Sequence, residues 1–518
     1  MIEYLKSLQQ PKNVKYGTAG FRDHHSKLDY IVYAVGRVAA LRSCHQKKAI
    51  GIMLTASHNP AEDNGVKIVD PSGHMLETKW EQYATDMVNL DMDTVINDII
   101  AKESIDTSLK PTVIIARDTR ISGPRLFSHI KQALKDSKAT VFDLDCLTTP
   151  QLHWATLYFN THNTIDNVEQ EYYKTICSNF NVLVKDLKNA RISCAVDGSN
   201  GIGAPKLALC IHMMQHYIPN YKMHQFNGAE SPNDILNFNC GADYVKTTQK
   251  QPANILETPI AHGQLGASFD GDADRIVFHF IKDNKFHVLD GDRIIALCAK
   301  GIQKLITELK IECSMGIVQT AYANGNATKY LKNLGLPVSF TPTGVKHLHH
   351  KAEEYDVGIY FEANGHGTVL FSEKLKKIDN VLLQALISLV NQTTGDAISD
   401  LFMVLFLMQY LNCSHEDWYE LYTECPSTLI KVVVKDRYAF KTVNAEQTLT
   451  HPEGIQAKMD QLMATMGGRS FVRPSGTENV VRVYAEHDNK EKCMELGNRV
   501  AGIVFDACGL GEKPKEFK

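Results

Sequence analysis

The chain has 518 residues, 44% of them hydrophobic and 22% charged, with a formal net charge of −4. That length exceeds one ordinary core and predicts three or four domains of about 100–200 residues each. The balance is that of a soluble globular protein, and the lack of a basic excess argues against nucleic acid as the main partner.

The first six residues, Met1 to Lys6, carry no secretory signal pattern. Two glycines precede an arginine in Tyr16-Gly17-Thr18-Ala19-Gly20-Phe21-Arg22, a weak signal by itself. The apolar run Ala49 to Leu54 predicts a strand, and Thr55-Ala56-Ser57-His58-Asn59-Pro60 follows it. An Asn-Pro step favours a turn, so Ser57 is displayed on a tight loop as nucleophile, metal ligand or helix cap, or with no role of its own. No G-x-S-x-G frame surrounds it, which excludes the α/β-hydrolase elbow. Asn64-Gly65-Val66-Lys67 comes next, and Lys67 either returns to the serine or points to solvent.

Three later stretches repeat one grammar of strand, polar loop and helix. They are Pro111 to Ala116 with Arg117-Asp118-Thr119-Arg120, Ile192 to Val196 with Asp197 to Gly201, and Met315 to Val318 with Gln319 to Gly325. Strands alternating with helices imply parallel or mixed sheets covered by helices. Asn160 to Glu171, rich in Asn, Thr and Gln, reads as a loop or insertion. Gly201-Ile202-Gly203 begins a dinucleotide fingerprint, but Lys206 stands where its third glycine belongs, and no Walker A loop occurs.

Asp270-Gly271-Asp272-Ala273-Asp274-Arg275 places three carboxylates at alternating positions between apolar flanks. Carboxylate oxygens suit hard cations, Mg²⁺ above all in phosphate chemistry. An EF-hand is excluded, because Arg275 and Ile281 stand where its glycine and glutamate belong. Burying three such groups at a strand end without a cation is costly. His347, His349 and His350 lack metal spacing and read as a solvated helix face. Glu362-Ala363-Asn364-Gly365-His366-Gly367 follows the apolar Val357 to Phe361 and suits hydroxyl and amide recognition.

Leu401 to Met408 is the strongest apolar run, far short of the roughly 20 residues that span a bilayer, and predicts a buried helix. Cys413 to Ser427 reads as a linker. Beyond it, Leu429 to Lys435 and Val480 to Glu486 predict strands and Glu491 to Ala507 a helix, together a small α+β domain. Within it, Arg473-Pro474-Ser475-Gly476-Thr477-Glu478 offers a guanidinium fork, two hydroxyls and a glycine that lets backbone N–H groups approach an anion, with Arg482 nearby. The alternative is a Pro-Gly turn with a surface arginine. Twelve cysteines without a Cys-x-x-Cys pair predict reduced thiols and a cytoplasmic protein.

A displayed serine, a carboxylate loop, a hydroxyl-recognition loop and a phosphate clamp, with no ATP loop, suggest moving phosphate on a sugar without a nucleotide. Thr55–Pro60, Asp270–Arg275, Glu362–Gly367 and Arg473–Thr477 stand in the order seen in the α-D-phosphohexomutase superfamily, which the chain resembles along nearly its whole length. Gln319–Gly325, Thr343–His350 and Phe361–Thr368 look like the branch acting on N-acetylglucosamine phosphates, whereas glucose and mannose mutases usually carry a Glu-x-Ser-Gly-His loop. Ala273 stands where many relatives carry glycine, as is typical of this branch.

The resemblance implies an α/β fold of four domains around a central cleft, three of phosphohexomutase type with mixed sheets and a smaller C-terminal α+β domain. The expected borders are 1–185 for the phosphoserine loop, 186–292 for the metal, 293–415 for sugar recognition and 425–518 for phosphate binding. It implies reversible interconversion of N-acetylglucosamine 6-phosphate and 1-phosphate through a 1,6-bisphosphate, feeding UDP-N-acetylglucosamine synthesis. Ser57 is then the phosphoserine, and Asp270, Asp272 and Asp274 hold Mg²⁺ together with its phosphate. Arg275, Thr343, Gly344, Glu362, Ala363, Asn364 and His366 face the sugar phosphate, and Arg473, Pro474, Ser475, Gly476, Thr477 and Arg482 clamp the non-reacting phosphate. Arg22 assists transfer, and His58 and Lys67 are both candidates for the base, with Lys67 preferred. The rival readings are a glucose or mannose mutase of the same fold, a sugar-phosphate hydrolase and an idle binding protein. The expected partner is a small sugar phosphate, with no nucleic acid and no membrane.

Overall fold

The computed structural model describes residue 4 and residues 8–17, 19–187, 194–229, 234–475 and 479–517. The chain divides into two compact units, Met1–Gly291 with Asn364–Val369 and Glu373–His415, and Asp292–Ala363 with Leu370–Ser372 and Glu416–Lys518.

In the first unit, β1 (Phe21–His24), β2 (Ile50–Leu54), β3 (Asp63–Val69), β4 (Thr112–Arg117) and β5 (Thr140–Cys146) form a sheet in the order β1-β3-β2-β4-β5. The β1/β3 and β3/β2 pairs are antiparallel and the β2/β4 and β4/β5 pairs parallel. Alternation of side chains along a strand sorts the apolar residues onto two faces. Ile50, Ile52, Leu54, Val113 and Ile115 pack with the helix Asp29–Gln46, while Met53, Ile114 and Ala116 pack with Leu152 of the helix Thr149–His162. Helices on both faces explain why β2 is buried at every residue.

The second sheet has the same layout. β6 (Cys194–Asp197), β7 (His224–Phe226), β8 (Leu265–Phe269), β9 (Ile276–Lys282) and β10 (Lys285–Leu289) run in the order β10-β9-β8-β6-β7, with antiparallel pairs on one side of β8 and parallel pairs on the other. The apolar run 401–408 lies in the helix Ala397–Tyr410, where Phe402 meets the Phe180 ring at 5.0 Å and the Tyr221 ring at 6.2 Å. An apolar surface on all sides marks a buried helix.

The second unit begins with the helix Gly291–Glu308. It holds β11 (Met315–Thr320), β12 (Val338–Thr341) and β13 (Val357–Phe361), parallel in the order β12-β11-β13, while β14 (Gly367–Phe371) crosses the division between the units. Beyond them, β15 (Ser427–Val433), the hairpin strands β16 (Lys441–Val443) and β17 (Thr448–His451), β18 (Arg469–Pro474) and β19 (Val480–Glu486) follow. β15, β19 and β18 form an antiparallel sheet in that order, covered by the helices Ile455–Met466 and Lys490–Cys508.

Three expectations are corrected. The polar stretch 160–171 is mostly helical: one helix runs to His162, Asn163 closes it in the left-handed conformation, and the next is Val168–Val184. The supposed linker carries the helix His415–Tyr419, whose Trp418 is buried and donates its indole N–H to the Arg293 carbonyl at 2.8 Å. His349 is buried rather than solvated, with Nδ1 2.9 Å from the Tyr360 hydroxyl, while His347 and His350 are exposed. All twelve cysteines are free. Among the described residues no helix is long and apolar enough to cross a membrane.

Candidate active site

The candidate loops leave the carboxyl ends of sheet strands, where open α/β sheets bind ligands. Ser57 follows β2, Asp270 follows β8 and Glu362 follows β13. Ser57 is fully buried and left-handed (φ 51°), a conformation that costs an L-residue about 1–2 kcal/mol. Its surroundings hold it there. The Ser57 N–H donates to Thr55 Oγ1 at 2.9 Å, and Thr55 in turn donates to Asp118 at 2.7 Å. Buried Arg120 donates from Nη2 to the carbonyls of Ser57 (2.9 Å) and Asn59 (3.0 Å) and from Nη1 to those of Pro60 and Asp63, while its Nε binds Asp118 at 3.0 Å. Asn237 Nδ2 also donates to the Ser57 and Asn59 carbonyls, at 2.8 and 2.9 Å. Gly271 lies against this frame; a methyl there would stand 2.6 Å from the Ser57 oxygen.

The frame aims Ser57 Oγ at Asp270, to which it donates at 2.6 Å. Asp270, Asp272 and Asp274 are buried, with one oxygen of each within 4.8 Å of the others. Asp270 Oδ1 accepts the N–H groups of Asp274 (3.0 Å) and Arg275 (3.1 Å), which closes the loop on itself. Thr149 donates its hydroxyl to Asp272 at 2.6 Å. Lys67 Nζ stands 3.8 Å from Asp272 and 3.6 Å from Asp274, and His366 Nδ1 stands 3.2 Å from Asp274. Burial and the neighbouring charges of Asp274 and Asp272 push the Asp270 carboxyl well above the usual range. Against its own burial, Asp274 is held well below that range by His366, Lys67 and Arg275. Asp272 Oδ1 is buried without a hydrogen-bond partner. A divalent cation suits this set: it would share the three carboxylates, satisfy the orphaned oxygen and remove the penalty on Asp270.

Cations surround the serine. Arg22 Nε is buried without a hydrogen-bond partner. Burial and the charge of Arg275 lower the Arg22 pKa, and the three aspartates oppose that shift. Arg275 reaches Asp243 at 3.4 Å. His58 Nδ1 lies 3.4 Å from Ser57 Oγ, and burial, with Arg275 and Arg22 next, pushes its imidazole down to about 2. The structure thus brings Ser57, His58, Lys67, Arg22, Arg275, His366 and the three aspartates together in the first unit.

Most of the remaining candidates belong to the second unit. Glu362 and Ala363, half-buried, end the second-unit segment, while Asn364 lies in the first unit and accepts the His366 N–H on its side-chain oxygen at 3.0 Å. Gly344 (φ 125°) precedes the helix Val345–Ala352. In the second unit Arg473 faces Arg482 across β18 and β19, and Arg482 faces Lys431 across β19 and β15. Directly opposed like charges disfavour a sheet by roughly 0.2–1 kcal/mol per pair, a cost that a neighbouring anion relieves. Arg473 Nε donates to Glu446 Oε1 at 2.8 Å, and Glu446 Oε2 accepts from the Thr343 N–H (3.0 Å) and hydroxyl (2.7 Å). Pro474 ends β18, and the Ser475 N–H donates to the Val480 carbonyl at 2.9 Å. Gly476 and Thr477 lie outside the described residues.

Sequence reasoning missed Arg120, Asn237, Thr149, Lys431 and Glu446. Only Arg120 had a signal, as the end of the charged Arg117-Asp118-Thr119-Arg120 loop after a strand.

Family models cover most of the chain. Phosphoglucomutase/phosphomannomutase alpha/beta/alpha domain I matches residues 38–93 and 84–166, phosphoacetylglucosamine mutase AMG1 domain II matches 163–277 and domain III 290–413, and the phosphoglucomutase/phosphomannomutase C-terminal domain matches 429–503. A phosphoacetylglucosamine mutase of Candida albicans is 45% identical over 542 aligned residues, covering 97% of this chain and 99% of its own. The crystal structure of Aspergillus fumigatus N-acetylphosphoglucosamine mutase in complex with GlcNAc-6P and magnesium superposes with a TM-score of 0.92 at 43% identity, covering 98% of each chain. A serine-to-alanine variant of the Aspergillus fumigatus enzyme in complex with glucose 1,6-bisphosphate gives 0.90 at 42%, again covering 98% of each. Fold and site define the class, an α/β enzyme of the phosphohexomutase kind. Within that class the chain belongs to the phosphoacetylglucosamine mutase family.

Proposed function

We propose that this protein reversibly interconverts N-acetylglucosamine 6-phosphate and N-acetylglucosamine 1-phosphate, with Ser57 as the phosphoryl carrier. The observation that carries the residue assignment is the buried Ser57 Oγ, held 2.6 Å from a carboxylate of the Asp270–Asp272–Asp274 set. The sugar hydroxyl at O1 or O6 attacks the phosphorus of phosphoserine, a new P–O bond forms, and the bond to Ser57 Oγ breaks. A 1,6-bisphosphate results. It turns end over end, and its other phosphate returns to Ser57 Oγ by the same exchange in reverse.

Mg²⁺ held by Asp270, Asp272 and Asp274 would supply charge neutralisation on the transferring group. The protein's own residues supply the rest. The Thr55–Asp118–Arg120–Asn237 frame fixes the serine, and Arg22 and Arg275 flank the site with permanent positive charge. Lys67 takes the proton of the attacking hydroxyl. His58, kept neutral by burial and two arginines, stays against Ser57 Oγ. Arg473, Ser475 and Arg482, with Gly476 and Thr477, clamp the distal phosphate, and Thr343, Gly344, Glu362, Ala363, Asn364 and His366 line the sugar's side. The domain borders 1–185, 186–292, 293–415 and 425–518 are part of this reading; the four matched family segments agree with it in number and order, while the domain II match begins at residue 163, before the border at 186. Twelve free thiols support a reducing, cytoplasmic setting.

A phosphorus NMR time course with Mg²⁺ and a trace of bisphosphate tests the reading, with N-acetylglucosamine 6-phosphate and glucose 6-phosphate run in parallel. Conversion mainly of the acetylated sugar to its 1-phosphate is expected, and Ser57→Ala should abolish it while thermal melting stays cooperative. Full activity of Ser57→Ala would remove the serine from the mechanism. Steady release of inorganic phosphate would make the protein a hydrolase.

A further inference from the structure

Glu446 engages two residues placed at the substrate, Arg473 through one oxygen and Thr343 through the other. Carboxylate and phosphate oxygens suit a guanidinium in the same way. The salt bridge is sheltered, with about a fifth of each side chain exposed (21% for Arg473, 17% for Glu446). Glu446 lies in the turn between the short strands β16 and β17, which form a two-stranded sheet of their own. Such a hairpin is marginally stable by itself. Its turn carries three consecutive left-handed residues that are not glycine, Asn444 (φ 52°), Ala445 (φ 54°) and Glu446 (φ 67°). Strain of this kind persists where surrounding contacts hold it, and here Glu446 makes those contacts.

We propose that Glu446 is a built-in anion occupying the distal phosphate clamp, and that a sugar phosphate binds by displacing it. The inference rests on the reading of Arg473 as a phosphate-binding residue. Displacement exchanges a monoanionic carboxylate for a phosphate monoester dianion within a row of Lys431, Arg482 and Arg473, and releases the strained turn. A neutral sugar brings no charge to that exchange and leaves the carboxylate in place. Glu446 thereby makes the clamp selective for phosphorylated sugars, and it keeps Arg473 paired while the site is empty.

The test is calorimetric titration of the full chain with N-acetylglucosamine 6-phosphate and with inorganic phosphate. Glu446→Gln keeps the size of the side chain and, through its amide oxygen, the bonds to Thr343, while it removes the charge and replaces the acceptor that faces Arg473 with an NH2 group. It should bind both anions about tenfold more tightly, the scale of one charge-assisted hydrogen bond no longer competing. Glu446→Ala should shift affinity in the same direction, and is read alone should Glu446→Gln not fold. In an Arg473→Ala background the gain should vanish, as a double-mutant cycle requires of a shared partner. Unchanged or weaker binding by the Glu446 variants, while Arg473→Ala alone loses affinity, would overturn the built-in anion and leave the clamp standing. A gain that persists without Arg473 would also overturn it. Unaltered binding by Arg473→Ala alone would remove the clamp reading and this inference with it.

Discussion

Arg120 shows how one side chain sets the geometry of a loop it does not belong to. Its guanidinium gathers the carbonyls of Ser57, Asn59, Pro60 and Asp63 and is neutralised by Asp118, so it orders the serine loop without adding net charge beside the reacting group. Arg120→Ala strands the buried Asp118 charge and should cost roughly 3–5 kcal/mol in denaturant unfolding, the usual penalty for breaking a buried pair. Arg120→Lys keeps the charge but replaces a planar fork with a point donor that cannot span four carbonyls. Its expected kinetic signature is a fall of about 10²-fold in kcat, the scale of a misplaced reacting group, with KM for the sugar phosphate little changed. A raised KM with intact kcat would assign Arg120 to binding instead. The contrast with Ser57 and the aspartates is one of legibility. Those residues sit in short contiguous motifs whose side chains name their chemistry. Arg120 acts on backbone oxygens, which leave no mark in a sequence, and Glu446 meets Arg473 from 27 positions away on a separate hairpin.

At the scale of elements, apolar pattern located the strands and the buried helix well, while polar composition misled. Asn160 suggests a loop by its type, yet its amide closes on the backbone of Ala49 and Pro71 from inside a helix. Trp418 turns a polar segment into a packed one, for which Arg293 stacking on Tyr419 (4.2 Å) and Tyr422 (4.4 Å) supplies the physical reason. The helix Ala397–Tyr410 holds an exception to its own apolar pattern. Asp400 is 1% exposed, its Oδ1 has no hydrogen-bond partner, and its Oδ2 receives only a long bond from the Asp396 N–H at 3.4 Å. Burial, and then the charge of Asp396, raise its carboxyl well above the usual range. The native state therefore keeps a proton that the unfolded chain releases near pH 4. Between the unfolded and the native pKa the native state binds more protons, so this group's contribution is fully present below pH 4 and declines as pH rises toward the native value. Asp400→Asn removes that decline. Unfolding free energies at pH 5 and pH 8 should show the variant gaining on the parent chain at the higher pH, by about 1.4 kcal/mol for each pH unit over which the native carboxyl stays protonated. Parallel pH dependence in the two proteins would mean that Asp400 ionises normally in the fold.

The carboxylate triad and the cationic row proposed as the phosphate clamp belong to different compact units. The triad and the residues bonded or paired with it above belong to the first unit: Ser57, Lys67, Thr149, Asp270, Asp272, Asp274, Arg275 and His366. The cationic row of Lys431, Arg482 and Arg473, with Glu446 and Thr343, belongs to the second. A cation bound only by the native triad stabilises the unit that holds it by RT ln(1 + [L]/Kd), about 2.7 kcal/mol at a hundredfold excess over Kd. Native-state hydrogen exchange can read that stabilisation strand by strand. With Mg²⁺ added to chelator-treated protein, amides of β4 and β8 that exchange through unfolding of the first unit should slow by up to about 10²-fold. Amides of β18 and β19 should keep their rates. Asp272→Asn should erase the effect, because it converts the carboxylate with the orphaned oxygen into an amide with half its acceptor capacity and no charge. Equal slowing in both units would mean that they unfold as one body. No slowing in either would mean that the triad, despite its buried and mutually repelling carboxylates, holds no Mg²⁺ in the unphosphorylated protein. Three carboxylates face two permanent cations at this site, Arg22 and Arg275, so a phosphate on Ser57 adds uncompensated negative charge, and the affinity for the metal should then rise with phosphorylation.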